Sequence, residues 1–172
     1  MTDRPSPIPT GRVLPTDAGR DLVLTRTFEA PIEDVWASIT EPERTARWFA
    51  TWSGEPGPGR TIRFRLTFEG PDATEEDMTI DACAPPHHLA VSAVDEYGSW
   101  RLEARLEEDA GRTTLTFTHH LDDAANAGEV GPGWEFYLDN LVASRAGDPS
   151  PDFDDYFPAM QPYYEAHGQS TA

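Results

Sequence analysis

The sequence predicts an α+β fold in which a curved antiparallel sheet wraps one long C-terminal helix, with two short helices after the first strand. Three observations carry this prediction. Five segments between Thr61 and Leu121 alternate apolar and polar residues at period two, the pattern of strands buried on one face. A single apolar stripe at helical spacing lies near the C-terminal end, between about Gly133 and Arg145. A strand closing at Phe28 runs into two helical segments, each opened by a proline.

Taken in order, residues 1–10 carry Pro5, Pro7 and Pro9 and are expected to form a flexible arm. Val13-Leu14 and Leu22-Val23-Leu24 flank Asp17-Ala18-Gly19, which suits a hairpin. Leu22, Leu24, Arg26 and Phe28 share one face of the strand that follows. Pro31 fits the first helical position, where a missing N–H loses no bond, and Glu33 and Asp34 complement the positive helix end. Ile32, Val35, Trp36 and Ile39 recur at helical spacing, and Pro42 with Glu43 repeats the device before Trp48-Phe49. The Gly- and Pro-rich run 54–59 is a loop. The meander then reads Thr61–Phe68, Asp77–Ala84, Leu89–Val94, Trp100–Glu107 and Thr113–Leu121, with turns at Gly70-Pro71-Asp72, Pro85-Pro86, Tyr97-Gly98 and Asp109-Ala110-Gly111. The covering helix presents Trp134, Tyr137, Leu138, Leu141 and Val142 and stops at Gly147. Residues 11–148 therefore read as one domain. Residues 149–172 read as a segment docked on it, because Phe153, Tyr156, Phe157, Met160, Tyr163 and Tyr164 carry too much apolar area for a solvated end. Pro158 and Pro162 break that segment into two short helical turns.

Two stretches carry a family resemblance. Thr27-Phe28-Glu29-Ala30-Pro31-Ile32-Glu33-Asp34-Val35-Trp36, followed by Thr40-Glu41-Pro42-Glu43 and Trp48, resembles the opening of START-like, or SRPBCC, proteins with the helix-grip fold. Gly131 to Leu141 resembles the start of the long C-terminal helix in the branch similar to the C-terminal domain of the activator of Hsp90 ATPase. The two bracket Leu22 to about Gly147. The resemblance implies a small-molecule-binding or chaperone-related protein without a cofactor. A fold of this kind hosts many activities, so the site has to decide.

Thirty-one acidic residues against thirteen basic give a formal charge of −18, and no Lys is present. Such a surface repels phosphate backbones and anionic lipid, which argues against nucleic-acid partners. No apolar run is long enough to cross a membrane, so no membrane insertion is expected. The start of the chain does not read as a signal peptide, and one cysteine, Cys83, cannot form an intrachain disulfide; both suit the cytoplasm. Cys83 reads as a small core residue rather than a nucleophile.

Parity places two polar side chains inside the cup, Arg26 and His119. An inward Arg must be paired, either with a helix carboxylate such as Glu135 or Asp139 or with an anionic ligand. His119 reads as a hydrogen-bonded core residue or as an acid–base group. Trp36, Trp48, Phe64, Trp100, Trp134 and Tyr137 either line a pocket for a flat apolar ligand or fill the core. The ligand-binding set expected from this is Arg26, Trp48, Phe64, Trp100, His119, Trp134, Tyr137 and Leu138, with no catalytic residue assigned. Metal ligation is disfavoured, since His119 and His120 point to opposite faces and His87-His88 sits at a turn. The leading expectation is a carrier or sensor of a hydrophobic, aromatic or lipid-like molecule. A polyketide cyclase/aromatase-like enzyme comes second and an Hsp90-activator-like interaction module third, with a homodimer through the C-terminal segment left open. The activator carries a separate N-terminal domain, whereas about twenty residues precede Leu22 here.

Overall fold

The computed structural model describes residues 5–95, 98–122 and 126–167. Eight strands form one antiparallel sheet: β1 (Arg12–Thr16), β2 (Gly19–Phe28), β3 (Ala50–Ser53), β4 (Thr61–Leu66), β5 (Glu76–Ala84), β6 (His88–Asp95), β7 (Gly98–Asp109) and β8 (Arg112–Leu121). Their order across the sheet is β1-β2-β8-β7-β6-β5-β4-β3, so the first long strand closes against the last. Helices α1 (Ile32–Thr40) and α2 (Pro42–Thr45) connect β2 to β3. The long helix α3 (Ala127–Ala146) lies across the concave face and packs on β2; a 3-10 turn at Phe153–Asp155 and helix α4 (Gln161–His167) follow. This is the α+β helix-grip architecture that the alternation and the two resemblances predict.

The departures are local and have physical causes. Pro31 is the residue before α1 rather than its first, with ψ of 151°. β4 ends at Leu66, and Phe68, expected in that strand, is an exposed residue whose ring packs edge-on against Phe136. β3 is four residues long and exists through pairing with β4, Ala50 opposite Leu66 and Trp52 opposite Phe64; four residues carry too little alternation to be read. α3 begins at Ala127, six residues before the expected start. Asn126 caps it, its side chain accepting from the Gly128 N–H at 2.9 Å, and Pro132 lies inside. The glycines that argue against a helix there make room for a neighbour: a Cβ on Gly131 would lie 2.5 Å from the Tyr164 ring. Val142 faces out of the expected stripe at 38 % exposure.

Past Gly147, which ends α3 in the left-handed conformation at φ 76°, the chain turns back. α4 packs on α3 and β1, and Tyr156, Met160 and Tyr164 are buried in the main core. At the other end Thr10 and Gly11 are tied to the body by the Glu135 carboxylate. Residues 1–4 of the expected arm, Tyr97 of the expected turn and residues 168–172 lie outside the described residues.

The core is in two parts. The larger joins β2, β7, β8, α1, α3 and the C-terminal segment through residues such as Leu24, Leu115, Leu138 and Tyr164. The smaller gathers Ala50, Ile62, Phe64, Met78 and Ile80 under β3, β4 and β5.

Candidate functional site

The gap between the two core clusters is a cavity of about 420 Å³. Leu115, Phe117, Trp134 and Leu138 of the larger cluster form one wall, and Ile62, Phe64, Met78 and Ile80 of the smaller form the other. On the side of α1, α2 and the loop before β4 the lining includes Trp36, Thr40, Glu41, Pro42, Trp52 and Pro56, and Glu103 of β7 also borders it. The volume falls within the range of small-molecule sites, and the surface is almost wholly apolar.

Two of the indoles are anchored by the end of α1. A helix leaves its last four carbonyls without intrahelical partners. Trp48 Nε1 donates to the Ser38 carbonyl at 2.8 Å and Trp52 Nε1 donates to the Thr40 carbonyl at 3.0 Å. Each ring thereby satisfies its one polar atom at the helix end and leaves its apolar body to the cavity. Asn140 Nδ2 donates to the Trp48 carbonyl at 3.1 Å and ties this corner to α3. Arg145 of α3 also grips α1 along its length, with Nη2 2.7 Å from Asp34 Oδ2 and Nη1 2.6 Å from Ser38 Oγ. The bonds from Arg145 and Arg44, against a smaller opposing effect of burial, hold the Asp34 carboxyl below its ordinary value.

A second cavity of about 340 Å³ adjoins the first toward the start of α3. Phe49, Phe64, Met78, Leu102 and Trp134 border both. Trp100, Tyr137, Phe136, Phe68 and Phe153 belong to the second alone, with Glu69, Glu76, Asp95 and Glu129.

Of the eight residues expected to contact ligand, Trp48, Phe64, Trp134 and Leu138 border the first cavity, and Trp100 and Tyr137 the second. Arg26 and His119 border neither. Arg26 takes the paired alternative: Nη2 lies 2.8 Å from Glu135 Oε2 and 3.0 Å from Asp139 Oδ1. Glu135 is 1 % exposed and also accepts from Thr10 N, Gly11 N and the Tyr164 hydroxyl. Burial pushes this carboxyl up, but the bonds from Tyr164, Thr10, Arg26 and Gly11 outweigh it and hold the pKa below the ordinary value. The cluster joins β2, α3, the segment before β1 and α4, which is an architectural role.

His119 is buried against Trp100, stacked at 5.3 Å, and accepts at Nδ1 from Trp134 Nε1 at 3.1 Å. Burial, helped by the nearby His120, pushes it down to about 4, so the ring is neutral and its acceptor is occupied in fixing Trp134. His120 lies on the opposite face, between Asp21 and Glu103.

Sequence reasoning missed Trp52, Phe49, Met78 and Ile80. Parity within the strand Asp77–Ala84 would have found Met78 and Ile80, which alternate with Thr79. Trp52 and Phe49 had no signal, because the strand that orients Trp52 was not legible.

An antiparallel sheet gripping one long helix, with apolar space enclosed between them, defines a START-like protein of the helix-grip class. Within that class the chain belongs to the family described as Activator of Hsp90 ATPase homolog 1-like protein, which it matches over residues 29–144. Among solved structures, CalU16 from Micromonospora echinospora is 29% identical, with 94% of this chain and 97% of that one covered and a TM-score of 0.74. The protein encoded by gene BPP1335 from Bordetella parapertussis is 25% identical over 100% of this chain and 96% of its own, with a TM-score of 0.69. DynU16, a protein in the dynemicin biosynthetic locus, shares the fold at 23% identity, covering 77% of this chain and 50% of that one, with a TM-score of 0.63. No curated protein matches. No helix among the described residues is long and apolar enough to cross a membrane.

Proposed function

We propose that the protein is a cytoplasmic carrier or sensor that holds a hydrophobic, flat aromatic or lipid-like molecule in the 420 Å³ cavity. One observation carries this reading: the apolar core is divided by a space of ligand size, and two of the indoles beside it, Trp48 and Trp52, have their N–H groups committed to backbone carbonyls. Walls this apolar and aromatic suit a ligand recognised by shape and apolar area. A cyclase would need an acid–base group facing its substrate. Arg26 and His119 are engaged outside the cavity, and the two carboxylates that border it are paired, Glu41 with Arg44 and Glu103 with His88, His120 and Arg105, which favours binding over catalysis.

The test uses the neutral fluorescent probe N-phenyl-1-naphthylamine and native mass spectrometry of the purified protein. The wild type is expected to enhance probe emission. Ala104→Phe, which adds a ring to the cavity wall, is expected to weaken the probe by roughly tenfold or more. Val91→Phe on a neighbouring strand serves as the second filling variant, should Ala104→Phe fold poorly. No enhancement in the wild type, or equal affinity in a folded filling variant, overturns the proposal.

A further inference from the structure

The second cavity differs from the first in charge. Glu69 after β4, Glu76 at the start of β5, Asp95 at the end of β6 and Glu129 in the first turn of α3 converge on it from four elements. Every charged residue in its lining is a carboxylate. Other acids near the sheet do have basic partners: Glu103 sits among His88, His120 and Arg105, and Asp77 and Glu75 face Arg63. Among the described residues Glu69, Glu76 and Glu129 enter no ion pair, so their charge is left standing around the opening.

The interior that these carboxylates surround is aromatic. Trp100, Trp134 and Tyr137 stand along it, with Phe68, Phe136 and Phe153 on the helix side. Two polar contacts fasten rings to acids: Trp100 Nε1 donates to Asp95 Oδ2 at 2.8 Å, and the Tyr137 hydroxyl donates to Glu69 Oε1 at 2.6 Å. Aromatic faces are electron-rich and attract a cation over the ring, while carboxylates at the mouth add attraction without a directional demand. An anion would meet four like charges on a chain of net charge −18, and a neutral apolar ligand would gain nothing from them.

We propose that this 340 Å³ cavity is a site for an organic cation, an aryl or alkyl amine or quaternary ammonium whose charged nitrogen sits between the rings and the four carboxylates. It is distinct from the first cavity, although Trp134 and Phe64 border both, and it does not depend on what the first one holds.

The test is calorimetric titration of the full chain with benzyltrimethylammonium, and in parallel with phenylmethanesulfonate, a probe of similar shape and opposite charge. The Trp100 indole N–H is followed by NMR, because Trp100 borders the second cavity alone. The ammonium is expected to bind at least tenfold tighter than the sulfonate, to shift the Trp100 resonance and to weaken as salt is raised. The triple variant Glu69→Gln, Glu76→Gln, Glu129→Gln keeps an acceptor for Tyr137 and leaves Asp95 to hold Trp100. It is expected to lose roughly tenfold in ammonium affinity. N-phenyl-1-naphthylamine affinity is measured on the same variant and is expected to stay unchanged, which separates this site from the first cavity. Equal binding of sulfonate and ammonium, an unmoved Trp100 resonance, or an unchanged ammonium affinity in the triple variant overturns the proposal.

Discussion

Glu135→Ala is the substitution for which the structure supplies the most arithmetic. The carboxylate is almost fully buried and accepts from five donors: Thr10 N at 2.5 Å, Thr10 Oγ1 at 3.0 Å, Gly11 N at 2.9 Å, Arg26 Nη2 at 2.8 Å and the Tyr164 hydroxyl. Alanine leaves Arg26, whose side chain is 11 % exposed, with Asp139 as its remaining carboxylate, and that partner is 35 % exposed and screened by water. Removing one member of a buried ion pair costs about 3–5 kcal/mol, because the other charge stays buried. The Thr10 N–H is near solvent and can turn to water. Gly11 N retains the Tyr164 oxygen at 3.1 Å, so the lost donors add little beyond the pair itself. For a chain of this length each kcal/mol moves the melting temperature by about 2–4 °C, so the drop should be roughly 6–20 °C. Circular dichroism melts at neutral pH measure it. Glu135→Gln, which keeps an acceptor for Tyr164 and the backbone, should lie between the two proteins. A drop below about 3 °C for the alanine variant would mean less than about 1 kcal/mol and would refute the claim that this cluster ties the chain ends to the body. The pH dependence has a definite sign. The folded pKa lies below the ordinary value, so the contribution of Glu135 is present above the unfolded carboxylate pKa and is lost as pH falls through the folded one.

Three further outcomes are expected. Gly131→Ala should destabilise by about 1–3 kcal/mol in chemical denaturation, since its Cβ would lie 2.5 Å from the Tyr164 ring; Gly133→Ala, which meets nothing within 4 Å, should not. Truncation after Gly147 removes Tyr156, Met160 and Tyr164, each worth about 1.5–3 kcal/mol when fully buried, and should lower the melting temperature or change the sedimentation of the protein. In an NMR titration of the imidazoles, His119 should stay neutral down to about pH 4, while His120, pushed down by burial but held up by the bonds and charges of Glu103 and Asp21 together, should titrate above the ordinary histidine value. Linkage then makes the His119 contribution present above the unfolded histidine pKa and lost as pH falls toward about 4. The His120 contribution runs the other way, complete below the unfolded value and lost as pH rises through the folded one. A His119 ring that protonates near the ordinary value would show that its bond from Trp134 does not persist in solution.

The legible part of this fold is the part in which each residue reports on its own neighbourhood. Ile62, Phe64 and Leu66 alternate with Arg63 and Arg65, and the strand follows. His119 and His120 are adjacent on a strand, so they had to part to opposite faces, and they do. The partner of Arg26 could be narrowed to Glu135 or Asp139 because an inward charge must be neutralised; it takes both. The first turns of α3 were illegible for a related reason. Gly128, Gly131 and Pro132 argue locally against a helix, and only the Tyr164 ring and the Glu165 side chain packed upon them explain why small residues stand there.

By itself the sequence determined the kind of each long element, the face that each turns inward and, through two stretches of resemblance, the class of fold. The tertiary structure alone decided which inward residues meet and which face a void. Phe64 and Trp134 are both inward aromatics by parity, yet whether they touch or enclose space depends on how far the short strand under Ala50 holds the smaller core cluster from the larger. Periodicity is a local property of the chain. A cavity is the difference between the volume that distant elements enclose and the volume their side chains fill, and that difference appears only when all of them are in place.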